Sequence, residues 1–329
     1  MMSRIPRRAR VLWLALAIAL AIGVGVAVQR SIGWHSVLHA AAEIDAHAWL
    51  ALLGLLAASY VARVVRAWHL LRNIDARSRL PHAAAVFFVH NAVLSLLPAR
   101  VGEIAMPLLA RRWMGIDWAS TLGALAWWRV TDAAAVGALA IALIAMGVGV
   151  LAPVYALALA AGTLPFLALA ARALVVRLAA REPLAGRLHV KAILARVVSG
   201  MPVRTRAITA DVALALIAWS TKIAAFTLFI AGVLQARGLD ALPPWPQLAG
   251  AALAGDVSGA LPLPTLAGVG PFEAAVVLGL ASLGIDSGTG LTVAVLLHAV
   301  VFAANVLLGG AVGLAIAATM SARRAGPVA

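Results

Sequence analysis

The stretch Leu97-Pro98-Ala99-Arg100-Val101-Gly102-Glu103 places proline, arginine, glycine and glutamate together inside a very apolar sequence. A second stretch of this kind, Leu263-Pro264-Thr265-Leu266-Ala267-Gly268-Val269-Gly270-Pro271-Phe272-Glu273, lies far downstream. After a similar apolar run, each is followed by the same tripeptide, Gly115-Ile116-Asp117 and Gly284-Ile285-Asp286. A broken, charged segment that is repeated in the two halves of a membrane protein is typical of a transporter.

The composition indicates that the bilayer is the solvent for most of the chain. Of the 329 residues, 64% are hydrophobic, and the mean hydropathy is +1.01. We therefore expect a single integral membrane domain over residues 1–329. A net charge of +14 would suggest nucleic acid in a soluble protein, but the basic residues lie between apolar runs, where they set membrane orientation. The chain has no cysteine, so it forms neither disulfides nor thiolate metal sites.

The charge distribution predicts the topology of the apolar segments. These lie at about 11–28, 47–71, 82–114, 118–147, 151–178, 207–235, 247–283 and 289–319, and the first is interpreted as an uncleaved helix rather than a signal peptide. If 82–114 and 247–283 each enter and leave by one face, most basic residues become cytoplasmic. The cytoplasmic set then includes Arg63 and Arg66 and the basic loop at about 172–206, whereas Arg100, Arg129 and Lys222 lie at membrane depth.

The predicted fold is thus an all-α polytopic membrane protein with about six spanning helices and two oppositely oriented re-entrant hairpins. Both termini are expected in the cytoplasm; short crossings by strongly bent helices are the alternative. Each hairpin precedes a full helix, so the repeat units at about 82–147 and 247–319 are related by inversion. When the two halves are aligned at their Gly-Ile-Asp tripeptides, Arg129 corresponds to His298.

The broken segments are the predicted binding site. Non-helical backbone at membrane depth is tolerated only where protein buries it or water fills a cavity, and helix N-termini facing that cavity attract anions. We therefore expect a phosphate or carboxylate site between the hairpins. The candidate substrate-binding residues are Asn91, Pro98, Arg100, Gly102, Glu103, Arg129, Asp132, Asp256, Gly268, Gly270, Glu273 and His298.

The charged candidates have structural as well as functional interpretations. Arg100 with Glu103, and Arg129 with Asp132, are spaced three apart, so each pair either contacts a headgroup or simply neutralises itself. Glu273 has no basic neighbour in sequence; it is either protonated or paired with Arg100, Arg129 or His298 across the two halves.

Other polar residues have simpler interpretations. Lys222 lies in the middle of its segment, where it can face the cavity, and Asn305 is expected to form interhelical hydrogen bonds. His35, His39 and His47 are interpreted as interfacial histidines, so no metal or other cofactor is expected.

At these motifs the chain resembles the membrane domain of lysylphosphatidylglycerol synthases and their stand-alone flippase-like relatives. The resemblance covers segments two to eight. In the first half it rests on Asn91, Pro98, Arg100, Gly102, Glu103, Arg129 and Asp132, and in the second half on Leu261-Pro262, Pro264, Gly268-Val269-Gly270 and Glu273. The chain departs from the family at Ala267-Gly268, where paired glycines are frequent, and at Leu297-His298, where arginine is common; the second departure bears on headgroup preference.

The resemblance implies translocation of a polar or anionic lipid between the leaflets of a bacterial cytoplasmic (inner) membrane. Phospholipids, polyprenyl-linked lipids and hopanoids are the candidate substrates, and no nucleic acid partner is expected. No soluble aminoacyl-transferring domain is present in the sequence, so aminoacyl transfer is not expected. Without a nucleotide-binding motif, transport would be passive or ion-coupled.

Two alternative functions remain open at the level of sequence. One is an intramembrane enzyme that modifies a lipid headgroup, an isoprenoid or a hopanoid; the 12 acidic residues, without an Asp-rich cluster, disfavour it. The other is a membrane subunit that recruits a lipid-synthesising enzyme through the basic loop, although that loop more simply contacts anionic lipid headgroups.

Overall fold

The computed structural model describes residues 22–23, 25–26, 28–97, 102–147, 149, 170, 173, 177, 188–259, 265 and 268–324, with the side chains of all these except 188–191 and 317–324. In chain order the helices are α1 (Trp34–Glu43), α2 (Ala46–Ile74), α3 (Leu80–Leu96), α4 (Ala105–Met114), α5 (Trp118–Gly147), α6 (Leu188–Ser199), α7 (Thr205–Ala236), α8 (Trp245–Gly259), α9 (Pro271–Ala281) and α10 (Ser287–Arg324). The described residues include no strand, and the predicted all-α class is confirmed.

Among the described residues, four helices are long and apolar enough to cross a bilayer. They are α2, α5 and α7, with 29, 30 and 32 residues, and the first 30 residues of α10. At about 1.5 Å per residue each exceeds the ~30 Å hydrocarbon core. They coincide with four of the predicted spans. The other two predicted spans, 11–28 and 151–178, lie largely outside the described residues.

The two segments predicted to be broken are broken. The first is divided into α3 and α4, with 17 and 10 residues, and the second into α8 and α9, with 15 and 11 residues. At about 1.5 Å per residue each short helix is shorter than the ~30 Å hydrocarbon core. The helices of the second pair are antiparallel, because Gly279 packs on Ala251 while Gly255 packs on Val276.

Helices α2 and α7 form an antiparallel pair at the centre of the molecule. Ala48 contacts Gly232 near one end of the pair, and the Ser59 hydroxyl donates to the Ala218 carbonyl at 2.6 Å in the middle. Gly232 has no side chain to separate the helices there, since an added Cβ would lie 2.6 Å from that of Ala48. Helix α2 is followed by the first broken segment and α5, and α7 is followed by the second broken segment and α10. Because α2 and α7 are antiparallel, the two halves begin in opposite directions.

The halves also pack on each other reciprocally. Helix α3 of the first broken segment packs against α10 of the second half, and α8 of the second broken segment packs against α5 of the first. This exchange is what a two-fold relationship between the halves produces. Helices α2 and α7 each contribute one end to each of two apolar cores, one in each half.

The repeated tripeptide Gly-Ile-Asp joins each broken segment to its long helix. Gly115 and Gly284 have φ values of 72° and 84°, the left-handed conformation that ends a helix. Asp117 and Asp286 then cap α5 and α10, accepting hydrogen bonds from the backbone N–H groups of Ser120 at 3.0 Å and Thr289 at 2.9 Å. The tripeptide is therefore a turn that ends one helix and starts the next.

These caps carry charge at the ends of the spans. Partial burial raises the pKa of the Asp117 carboxyl, but hydrogen bonds from Ser120 and the charge of Arg196 outweigh it and hold that pKa below its usual value. The hydroxyl and backbone N–H of Thr289 hold the pKa of Asp286 below its usual value as well. Both carboxylates are thus favoured in the anionic form, which suits the positive end of a helix dipole.

The predicted basic loop contains a helix that docks on α5. Helix α6 approaches so closely that a Cβ added to Gly123 would overlap the Val197 carbonyl, and one added to Gly200 would overlap the Ser120 carbonyl. Arg196 of α6 lies 3.5 Å from Asp117. Two glycines and one ion pair therefore fix this basic segment to the start of α5.

Candidate functional site

A polar cavity of about 630 Å³ lies between the two halves of the molecule. Its walls come from α2, α3, α5, α7, α8, α9 and α10 and from residues beside both breaks. Six of the predicted site residues line it: Asn91, Arg129, Asp132, Asp256, Gly268 and His298. The structure thus brings together side chains that are up to about two hundred residues apart in the sequence.

Glycines bring both breaks back against the helix that precedes them. A Cβ added to Gly102 would lie 2.6 Å from the Cα of Leu94, and one added to Gly268 would lie 3.0 Å from the Cα of Gly259. Gly268 and Gly270 have φ values of 87° and 99°, which side chains rarely tolerate. These three predicted residues therefore have a backbone role that places the charged groups near them.

A carboxylate near the start of α4 and one in the first turn of α9 contact equivalent basic side chains in the two halves. Glu103 accepts from Arg129 of α5 at 2.7 Å, and Glu273 lies 2.6 Å from Nδ1 of His298 on α10. Glu273 also accepts from the Gly270 backbone N–H at 2.7 Å, which caps α9. The predicted correspondence of Arg129 with His298 agrees with this geometry, and His298 is the partner of Glu273 among the alternatives considered.

The ion pairs predicted from a spacing of three residues account for only part of the contacts between charged side chains. Arg129 lies 3.7 Å from Asp132, farther than its 2.7 Å contact with Glu103. The predicted pairing of Arg100 with Glu103 lies outside the described residues, as do Arg100 and Pro98 themselves.

A third pair, Lys222 with Asp256, borders the cavity. The Lys222 ammonium donates to Asp256 at 2.7 Å, and both side chains are largely buried. Lys222 also lies over the rings of Trp219 and Phe226, at 5.6 and 5.3 Å from their centroids. The sequence placed Lys222 at membrane depth, and the structure shows that it faces the cavity.

A buried charge network behind the cavity was missed from the sequence. Arg66 is fully buried and donates to Asp132 at 2.5 Å and to Asp211 at 2.8 Å. It also donates to Thr131 and to the carbonyl of Trp128. The assignment of Arg66 to the cytoplasmic charges is therefore wrong, because the arginine joins α2, α5 and α7 inside the protein.

Three tryptophans complete the shell of this network. Trp127 donates to Asp211 at 2.9 Å, while Trp128 and Trp219 donate to Asp132 at 2.9 and 3.0 Å. Every carboxylate oxygen of the two aspartates therefore accepts at least one hydrogen bond. Indole N–H groups are donors only, so both carboxylates act as hydrogen-bond acceptors here.

Arg63 differs from the other cations of the cavity in its partners. It lies one helical turn before Arg66, and its Nε donates to the Ser59 hydroxyl at 3.4 Å. Its guanidinium lies 5.0 Å from the ring centroid of Trp219, and within the described ranges no carboxylate comes within 4 Å of it. Nη2 is shielded from solvent and has no hydrogen-bond acceptor among those residues.

Amide side chains complete the cavity wall. Asn305 accepts from the Tyr60 hydroxyl at 2.8 Å and donates to Ser95 at 3.2 Å, so it links α10 to α2 and α3 as predicted. Asn91 lines the cavity and also a small neighbouring space of about 30 Å³ that borders Arg63 and Arg129. Within the described ranges, no group of three or more metal-ligating side chains is assembled.

The chain matches the family described as lysylphosphatidylglycerol synthase TM region over residues 12–309. No match was found among curated proteins. The matched range includes both broken segments, all four long apolar spans up to residue 309, and every residue of the cavity wall. The chain is thus a multi-pass membrane protein that belongs to the lysylphosphatidylglycerol synthase TM region family, a family of lipid metabolism or transport.

Proposed function

We propose that this protein translocates a polar or anionic lipid between leaflets by passing its headgroup through the cavity between the two halves. Arg63 is the observation that carries the proposal. Arg63 borders the membrane cavity and its Nη2 has no acceptor in the described structure, so a small rotation of this shielded group towards the cavity would let it bind an anionic oxygen of a ligand. Such a contact would offset the desolvation of the buried donor.

The other charges suit a headgroup rather than a whole lipid. A volume of about 630 Å³ is within the range of ligand pockets, and the charged side chains in its wall suit a polar headgroup. Arg129 and Lys222 supply further donors, while Asp132 and Asp256 balance their charge. We assign the predicted substrate-binding role to these residues, with Arg63 added to the set.

The proposed transport path follows the two breaks. Both broken segments are proposed to be re-entrant, from opposite faces, with both termini in the cytoplasm of a bacterial inner membrane. The antiparallel packing of α8 with α9 supports a return to the same face, and the antiparallel α2 and α7 support inversion of the halves. The half-helix starts at α4 and α9 would then meet the cavity from opposite sides.

A scrambling assay with matched arginine variants tests the proposal. The purified protein is placed in phosphatidylethanolamine–phosphatidylglycerol vesicles that contain fluorescent phosphatidylglycerol, and dithionite reduces the exposed fluorophore. Arg63→Gln should slow translocation about tenfold or more, because a charged hydrogen bond contributes about 1.5–3 kcal/mol. Arg72→Gln is the control, since Arg72 is an exposed arginine near the end of the same helix.

Normal translocation by Arg63→Gln, with the protein folded, would remove Arg63 from the site. No translocation by the wild-type protein, for phosphatidylglycerol or for polyprenyl-phosphate and hopanoid lipids tested in the same way, would contradict the function. Mass spectrometry of the recovered lipids distinguishes the alternative, a headgroup-modifying enzyme. That activity predicts a lipid of new mass with the Glu273–His298 pair as its acid–base group.

A further inference from the structure

An apolar groove of about 620 Å³ continues the polar cavity. It lies between α5 and α8, and Gln247 is its one polar side chain among eleven lining residues. Val136 and Val257 line both the groove and the cavity, so the two spaces meet at these valines. The groove is not needed to bind a headgroup, so it requires a separate account.

Both walls of the groove change polarity at the same level. Along α5, the residues that face it run from Val136 to Gly147, while Arg129 and Asp132 face the cavity one to two turns earlier. Along α8, the groove residues run from Pro246 to Val257, next to Asp256 at the cavity wall. Two antiparallel helices therefore form one passage that is charged at one end and apolar at the other.

The dimensions match a hydrocarbon chain. The eleven-residue distance from Val136 to Gly147 corresponds to about 16 Å of helix, roughly half of the hydrocarbon core. The groove is open to the bilayer at its rim, where Ile144 is 66% exposed. An apolar groove of this length that ends at a charged cavity matches an amphiphile with its polar end in the cavity.

We propose that this groove binds one acyl or isoprenoid chain of the lipid whose headgroup occupies the cavity. The inference rests on the proposed function for the identity of that lipid. It also assigns an orientation, because the chain points towards the membrane face at which α5 ends. The bound lipid therefore has the same orientation as the lipids of the leaflet at the face where α5 begins, whose chains also point towards the face where α5 ends.

Photolabelling with two phosphatidylglycerol probes tests the groove. One probe carries a diazirine in the middle of an acyl chain, and the other carries it on the headgroup, in vesicles of phosphatidylethanolamine and phosphatidylglycerol. Mass spectrometry should locate the acyl label on groove residues such as Ala140 and Leu143, and the headgroup label on the cavity wall. Ile141 is the internal control for annular lipid, since it is 66% exposed on the same helix.

A pair of glycine variants gives the matched perturbation. Gly250 in the groove and Gly54 on α2 are both membrane-helix positions where an added Cβ meets nothing within 4 Å. Gly250→Phe should abolish the acyl label in the groove and slow translocation of fluorescent phosphatidylglycerol about tenfold or more. Gly54→Phe should leave both unchanged, and the elution volume of each variant reports whether it is folded.

Three outcomes separate this inference from the proposed function. Groove labelling without translocation by the wild-type protein would refute the function and support the groove as a lipid site. Translocation with equal labelling of Ile141 and the groove, or with groove labelling unaffected by Gly250→Phe, would refute binding of a lipid chain in the groove. A disulfide between Gly250→Cys and a cysteine introduced within 151–178 would also overturn it, because the chain itself would fill the space; the cysteine-free sequence makes that measurement clean.

Discussion

Replacing Arg66 with methionine should strongly destabilise the protein, because two carboxylates would lose the cation they share. Arg66 and Asp211 are 0% exposed and Asp132 is 6% exposed, so water can compensate little, and only at Asp132, which borders the cavity. Removing one partner of a buried ion pair typically costs about 3–5 kcal/mol, and two acceptors place this variant near the upper end. At roughly 2–4 °C per kcal/mol, the melting temperature should fall by about 10 °C or more.

The assay follows the tryptophans that surround the network. Heating the detergent-solubilised protein while recording tryptophan fluorescence reports the environment of Trp127, Trp128 and Trp219, and size exclusion reports aggregation. Arg72→Met is the control, because it removes an exposed arginine from the same helix. Neutralising the network with Arg66→Met, Asp132→Asn and Asp211→Asn together should recover at least about half of the loss, since no unpaired charge remains.

The reasoning would be refuted if Arg66→Met melted within about 2 °C of the wild-type protein, or if the triple variant were less stable than the single one. Either result would mean that the carboxylates are not held as buried anions by Arg66. The measured quantity would be kinetic if unfolding is irreversible, so all variants are compared at one heating rate.

Three further predictions concern other contacts. Gly200→Ala should lower the melting temperature by several degrees, because its Cβ would overlap the Ser120 carbonyl, whereas Gly137→Ala, which meets nothing within 4 Å, should not. Lys222→Met should destabilise less than Arg66→Met, by about 1–3 kcal/mol, because it leaves one carboxylate at the edge of a polar cavity; a larger melting shift than that of Arg66→Met would contradict this. Asp286→Ala should cost about 1 kcal/mol at neutral pH and little at low pH, since a carboxylate with a lowered pKa stabilises the fold above its unfolded pKa of about 4 and loses that effect as the pH falls through its folded pKa. Melting curves of the wild-type and Ala proteins from pH 7 to pH 3 should therefore converge.

Local patterns in the sequence predicted the helices and breaks well. Long apolar runs indicated spans, and the prolines and glycines near residues 98–102 and 262–271 indicated interruptions in them. The four described spans begin and end within a few residues of their predicted bounds. The Gly-Ile-Asp repeat was recognised as a correspondence between the halves, but its role as a helix stop and cap required the geometry of Ser120 and Thr289.

Contacts between distant residues were harder to predict. Arg66 and Asp211 are 145 residues apart and meet only because α2 and α7 pack antiparallel. Arg66 also lies near the end of its span, where charge normally marks the membrane surface. One signal was available: Arg63 and Arg66 are three residues apart on one side of an apolar helix, which favours their burial inside the protein rather than exposure to lipid.

The short helices of the two broken segments have an electrical consequence. Across an unbroken helical bundle, the membrane potential falls over about 30 Å of hydrocarbon. If the broken segments are re-entrant as proposed, a water-filled cavity bounded by helices of 10 to 17 residues would concentrate that fall across a thinner partition at the breaks. Each net charge carried fully across the partition is subject to about 2.3 kcal/mol per 100 mV, whereas a zwitterionic headgroup is subject to almost none. If the protein translocates a lipid as proposed, the dependence of translocation on applied voltage counts the net charge of the headgroup, even before the lipid is identified.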